Sequence, residues 1–165
     1  MSDSYRLVIA RHATAATVAG APDRDRPLSP HGEREASAAG TWLASSVAPP
    51  DRVVCSTARR TRQTWSLIAE HLACDPPVAY EPAVYDNDVD ALIELVRGTD
   101  AEARTLLLVG HNPAVYQLLL VLTEDHESRD GFPAGSLAVI DMNVAWSDAG
   151  PGDGALTAFW APDHA

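Results

Sequence analysis

Arg6-Leu7-Val8-Ile9-Ala10, followed at once by Arg11-His12, decides how the rest of the chain is read. The apolar run is too short for a helix and is rich in branched residues, which suits a strand buried on both faces. It ends on two residues that carry charge and chemistry. The same pattern returns at Arg52-Val53-Val54-Cys55, ending at Ser56, and at Thr105-Leu106-Leu107-Leu108-Val109, running into Gly110-His111-Asn112-Pro113. Helical signals separate these strands. Ser29-Pro30 pairs an N-cap with proline at the first helical position and predicts a helix to about Ser45. A second helix is expected from about Thr57 to Leu72. Asp88 caps a third, bearing Val89, Leu92, Ile93 and Val96 at helical spacing and stopped by Gly98. Asn112 is expected to cap, and Pro113 to start, a helix through Leu122. Val78 to Tyr80 reads as a weak extended stretch, and Ser136 to Met142 and Ala155 to Trp160 as two further strands. Strands alternating with helices predict an α/β three-layer sandwich, a mostly parallel central sheet with helices on both faces.

The chain has 165 residues, 46% of them hydrophobic, enough for one sizeable core, so residues 1–165 read as a single domain. No apolar run approaches the roughly 20 residues of a membrane span, and the polar amino terminus lacks the basic flank of a signal peptide. A cytoplasmic protein without a membrane partner is the expectation. Cys55 and Cys74 are too few for a disulfide framework and read as small buried hydrophobes. The 23 acidic residues against 12 basic ones leave a net charge of -11, which argues against a nucleic-acid partner. Every basic residue is arginine, which removes lysine Schiff-base chemistry and the lysine of a phosphate-binding loop. An acidic protein that handles phosphate must place a few arginines with care, since the guanidinium fork matches phosphate oxygens.

Three strand ends supply polar groups: Arg11-His12, Ser56 and His111. In open parallel sheets, ligands bind at that edge, and helix starts near Thr57 and Asn112 would aim backbone N–H groups at the same crevice. Helical spacing chooses among Arg59, Arg60 and Arg62. Arg59 lines up with Arg62, Gln63, Ser66 and Glu70, a solvated face, whereas Arg60 lines up with Thr64, Leu67 and Ile68. Arg60 is therefore the arginine expected to face inward at the crevice.

Leu7 to Ala13, Arg26-Pro27-Leu28-Ser29-Pro30-His31-Gly32, Ser56 to Arg60 with Gln63-Thr64, and Val109 to Pro113 resemble, in order and spacing, the successive motifs of the histidine phosphatase superfamily. The short length and the Arg-His-Ala form are similar to its SixA-type phosphohistidine phosphatase branch rather than to the longer phosphoglycerate mutases. The resemblance implies a phosphoglycerate mutase-like fold and an enzyme without metal or cofactor. It also implies that His12 attacks phosphorus while Arg11, Arg60 and His111 hold the equatorial oxygens, with His111 protonated. The family's leaving-group acid has as candidates Glu81, Asp86 and Asp88. A nitrogen leaving group needs less of such an acid, which favours phosphohistidine protein as substrate.

Thr14 and Asn112 are candidates to contact phosphate or to shape the loop and the cap. Arg26 either touches substrate or pairs with Asp23 or Asp25, and Ser56 either meets phosphate or caps its helix. Ala13 replaces a commoner glycine and adds a methyl near the pocket. Trp42 and Trp65 are expected in the core, and His31, His71, His126 and His164 in structural roles. Asp86, Asp88 and Asp90 lack the glycine and terminal glutamate of a calcium loop. The competing readings are a phosphatase for a sugar or nucleotide phosphate and a non-catalytic module that binds phosphorylated protein. Substrate choice is expected to lie in the loops Ala15 to Pro27 and Glu124 to Ala134.

Overall fold

A computed structural model describes residues 4–124 and 131–162. His126 and His164, and the middle of the Glu124 to Ala134 loop, lie outside the described residues. The elements run β1 (Tyr5–Arg11), α1 (Pro30–Ser46), β2 (Arg52–Ser56), α2 (Arg59–Ala69), β3 (Val78–Glu81), α3 (Pro82–Tyr85), α4 (Val89–Arg97), β4 (Thr105–Gly110), α5 (Ala114–Thr123), β5 (Leu137–Met142) and β6 (Gly154–Trp160). The strands form one sheet in the order β3-β2-β4-β1-β5-β6. β1 to β4 are mutually parallel, while β5 joins β1, and β6 joins β5, antiparallel.

Alternation along β1 explains its unbroken apolar run. Leu7 and Ile9 face a core built with Leu92 and Val96 of α4 and Val115 and Leu118 of α5, and Val8 and Ala10 face Leu43 of α1 and Trp65 and Ile68 of α2. Both faces of the sheet are thus covered, and a strand in its centre has no polar side to show. β4 repeats the pattern, Leu106 and Leu108 on one face and Leu107 and Val109 on the other. Trp65 is buried, and Trp42 stacks on Trp160 with ring centroids 6.1 Å apart. Cys55 is buried as expected, whereas Cys74 is only partly so.

Local caps fix the starts of α1 and α4. Ser29 Oγ accepts from Gly32 N–H at 2.9 Å, capping α1 as expected, and Asp88 Oδ1 accepts from Asp90 N–H at 3.2 Å at the start of α4. α2 starts at Arg59, two residues later than expected. Ser56 Oγ accepts from Ala58 N–H at 3.2 Å, ahead of the helix proper, so it does not occupy the N-cap position. Asn112 is not the cap of α5. Its Nδ2 donates to Phe132 O at 2.9 Å, and the first helical N–H, of Ala114, is taken instead by Asn87 Oδ1 at 3.0 Å. Asn87 Nδ2 also donates to Asn112 O at 2.7 Å. Asn87 adopts a left-handed backbone with φ of 62°, a conformation asparagine tolerates better than most residues.

Gly32 is required by a close approach. A Cβ there would land on the carbonyl oxygen of Thr14, with Thr14 C only 2.9 Å away, and that oxygen already accepts from Ser29 N–H. The obstacle is backbone and cannot swing aside. Gly32→Ala is expected to cost about 2–3 kcal/mol by overpacking and to displace the loop carrying His12. Urea unfolding beside an activity assay checks this, and an unchanged midpoint would refute it.

Candidate active site

β2, β4 and β1 are neighbours in the sheet, and Arg11 is level with Gly110 in the β1–β4 register. Residues just past these strands therefore meet at one edge, as the strand pattern predicts. There a hollow of about 630 Å³ is lined by Arg11, His12, Thr14, Asp23, Arg26, Arg60, Tyr85, Asn87, His111 and Asn112, among others. Seven of the residues proposed from sequence lie in this lining: His12, Arg11, Arg60, His111, Thr14, Arg26 and Asn112. Arg60 is buried in the inward face of α2 with Thr61, Thr64 and Ile68, while Arg59 and Arg62 are exposed. Helical spacing alone made that distinction.

His12 is held in one tautomer. Its Nδ1 lies 2.7 Å from Ala13 O, and a carbonyl only accepts, so Nδ1 carries the hydrogen and Nε2 keeps its lone pair. Burial, ahead of every other influence, lowers its pKa to about 3, and the nearby charges of His111, Arg60 and Arg11 act in the same direction. The ring is neutral at physiological pH. The His111 ring lies 5.2 Å from it. Burial and then Arg60 lower the His111 pKa to about 4. Arg60 Nη2 approaches His111 Nδ1 at 3.5 Å and can only donate, so the hydrogen of neutral His111 sits on Nε2, facing Ser56 Oγ at 2.7 Å.

Ser56 is thus not a lining residue. It is fully buried and orients His111, and its hydroxyl oxygen accepts from Nε2–H in either charge state of the ring. Arg11 Nη1 donates to Phe132 O at 3.0 Å, and Ala13 N–H donates to Thr64 Oγ1 at 3.1 Å. The Ala13 methyl packs with Leu28 and Ala36, not into the hollow. Buried Glu35 accepts from Thr14 N–H at 2.8 Å. Burial lowers the pKa of Arg11, and the Glu35 carboxylate opposes that shift. His31 lies 3.5 Å from Glu35 and His71 bonds to Ser37, both structural placements.

None of the three acid candidates lines the hollow, and Asp88 caps α4. Glu81 lines a separate depression at the β2–β3 edge, and Asp86 is exposed on the turn after α3. The carboxylate present is Asp23, on a short 3-10 turn between β1 and α1. Its Oδ2 accepts from Tyr85 Oη at 2.7 Å and Arg60 Nη2 at 3.1 Å, and Oδ1 accepts from Arg26 Nη1 at 3.2 Å. The Tyr85 hydroxyl first, and then Arg60 and Arg26, hold the Asp23 pKa down at about 2 against a modest desolvation. Arg26 therefore lines the hollow and pairs with Asp23, one of the two partners expected for it. Sequence reasoning missed Asp23 and Tyr85 as site residues.

The sequence profile of the histidine phosphatase superfamily (branch 1) matches residues 7–90. The chain belongs to that superfamily. An uncharacterized protein of Mycobacterium tuberculosis is 36% identical over 160 residues, covering 92% of this chain and 99% of the relative. Two solved structures provisionally named phosphohistidine phosphatase SixA are similar over 96% of this chain. That from Nakamurella multipartitia has 35% identity, a TM-score of 0.85 and 96% of its own chain covered, and that from Agrobacterium tumefaciens 28%, 0.82 and 99%. This histidine phosphatase is accordingly an enzyme of the SixA-like branch with the phosphoglycerate mutase-like fold. Among the described residues, no helix is long and apolar enough to cross a membrane, and no group of three or more His, Cys, Asp or Glu side chains could hold a metal ion.

Proposed function

We propose that this phosphatase acts without metal through a phosphohistidine intermediate on His12, and that its substrate is phosphohistidine on a protein. The observation that carries the reading is the neutral His12 ring, its Nδ1–H fixed on Ala13 O, beside Arg11, Arg60 and His111. His12 Nε2 attacks phosphorus in line, and the bond from phosphorus to the leaving nitrogen breaks. The arginines meet the equatorial oxygens, where a loose transition state spreads its charge. A phosphate dianion also favours the protonated form of His111, so binding takes up a proton at Nδ1, which then donates to an oxygen. The phosphorylated His12 ring keeps its Nδ1–H on Ala13 O. In the second step water attacks phosphorus, the Nε2–P bond breaks, and the ring leaves neutral without an external proton donor. The water's second proton ends on the released phosphate.

The substrate class rests on the same chemistry. The carboxylate in the hollow is ionised, with a pKa of about 2, and so is a poor donor to an alkoxide. A phosphoramidate leaves more readily than an alkyl ester. The SixA names of the two similar structures point the same way. Phosphate release with a chelator present, from a phosphohistidine protein and from a panel of sugar, nucleotide and aryl phosphates, tests the reading. Selective release from phosphohistidine is expected. Release only from esters would move the substrate to small molecules, and release from none would leave a phospho-binding module.

A further inference from the structure

A carboxylate in a phosphate pocket opposes the ligand it should help to bind. Asp23 is nevertheless tied there by the side chains of Tyr85, Arg60 and Arg26, while its backbone oxygen accepts from Arg60 Nη1 at 2.9 Å. Its side chain remains 52% exposed, so it presents a fixed anion to whatever enters. The same Nη2 of Arg60 touches Asp23 and approaches His111, which places the carboxylate one guanidinium away from the groups that face phosphoryl oxygens. A leaving group that carries an N–H beyond the bond to phosphorus would meet that anion.

We propose, on the reading of function above, that Asp23 is a catalytic residue that selects imidazole as leaving group, accepting a hydrogen bond from the distal ring N–H of the phosphorylated imidazole. The interaction keeps the substrate ring in its protonated form. As phosphorus transfers to His12 Nε2, the electron pair of the breaking N–P bond returns to the substrate ring. That ring departs as neutral imidazole, its distal N–H intact and still hydrogen-bonded to Asp23. His12 simultaneously becomes the protonated phosphoimidazole, with its own distal N–H on Ala13 O. Donor and acceptor rings are thus matched, each with a hydrogen-bond acceptor on the far nitrogen, and no proton crosses between enzyme and substrate. An ester oxygen has no such second site and gains nothing from Asp23.

The test compares N-phosphorylimidazole with p-nitrophenyl phosphate on the full chain and on Asp23→Asn. An opposite charge at hydrogen-bond distance shifts a titration by about 1–3 units. The variant is therefore expected to lower the ratio of the two kcat/KM values by at least about 10-fold, and to move the alkaline limb of kcat for N-phosphorylimidazole down by at least about one pH unit. Tyr85→Phe, which leaves the carboxylate charged, should lower the ratio far less. An equal fall in Tyr85→Phe would assign proton donation to the phenol and overturn the proposal. So would an unchanged ratio in Asp23→Asn, whether both substrates slow, from a misplaced Arg60, or both quicken, from unblocked arginines. Should the native chain release phosphate from both probes through His12 with the ratio unmoved, only this inference fails; His12-independent release, or none, removes the underlying reading as well.

Discussion

Phosphate release by His12→Ala is expected to fall on the order of 10⁴-fold or more, while inorganic phosphate still binds. The variant removes the Nε2 lone pair that forms the intermediate, and the other imidazole in the hollow does not replace it: His111 sends Nε2 to Ser56 and has Nδ1 against Arg60. Arg11, Arg60 and His111 keep their own supports, in Phe132 O, Asp23 and Ser56. Affinity for the anion therefore depends on groups that the mutation leaves in place. Radiolabelled substrate quenched in alkali should label the native chain and not the variant, and calorimetry with inorganic phosphate should give a similar Kd for both. Turnover within tenfold of native would place the nucleophile elsewhere.

A steep loss of stability on acidification is the second large effect. His12 and His111 have pKa values near 3 and 4 in the folded chain, each lowered chiefly by burial, against an ordinary 6.5. Between those limits the unfolded chain binds protons that the folded chain refuses. Stability therefore falls as pH drops below about 6.5, by up to about 1.4 kcal/mol per unit for each ring. The contribution is fully present above the unfolded value and is lost progressively toward pH 4 and 3. Urea midpoints at pH 7, 6 and 5 for the native chain and a His12→Gln, His111→Gln double variant isolate the two rings. The native curve should slope and the variant's should be flatter; equal slopes would mean that the two histidines titrate normally.

What could be read from sequence divides along a physical line. Strands buried on both faces announce themselves, because β1 and β4 must be apolar on each side, and the residues that break the run, Arg11-His12 and His111, are then exposed as the exceptions. Arg60 was legible for a related reason: on an amphipathic helix, an arginine in the apolar stripe is out of place unless it has work to do. Asp23 obeys no such period. It lies in a turn of Pro, Asp and Arg residues where every charge suits solvent, and its meeting with Tyr85 joins positions 62 residues apart. The cap of α5 failed for the same cause, since Asn87 serves a helix that begins 27 residues later, and no local pattern records that bond. Glu81, Asp86 and Asp88 are acid candidates only by their position after the third strand. The chain turns there into α3, and Tyr85, not a carboxylate, faces the hollow.

Asn87 has one more consequence. By gripping Asn112 O and Ala114 N–H on either side of Pro113, it splices the turn after α3 to the segment that follows His111. The connections after β3 and β4 therefore form a single brace before any ligand arrives. The entropy of assembling that side of the crevice is charged to folding and not to each catalytic cycle, so a phosphorylated partner meets a finished wall and spends its binding energy on the transfer itself.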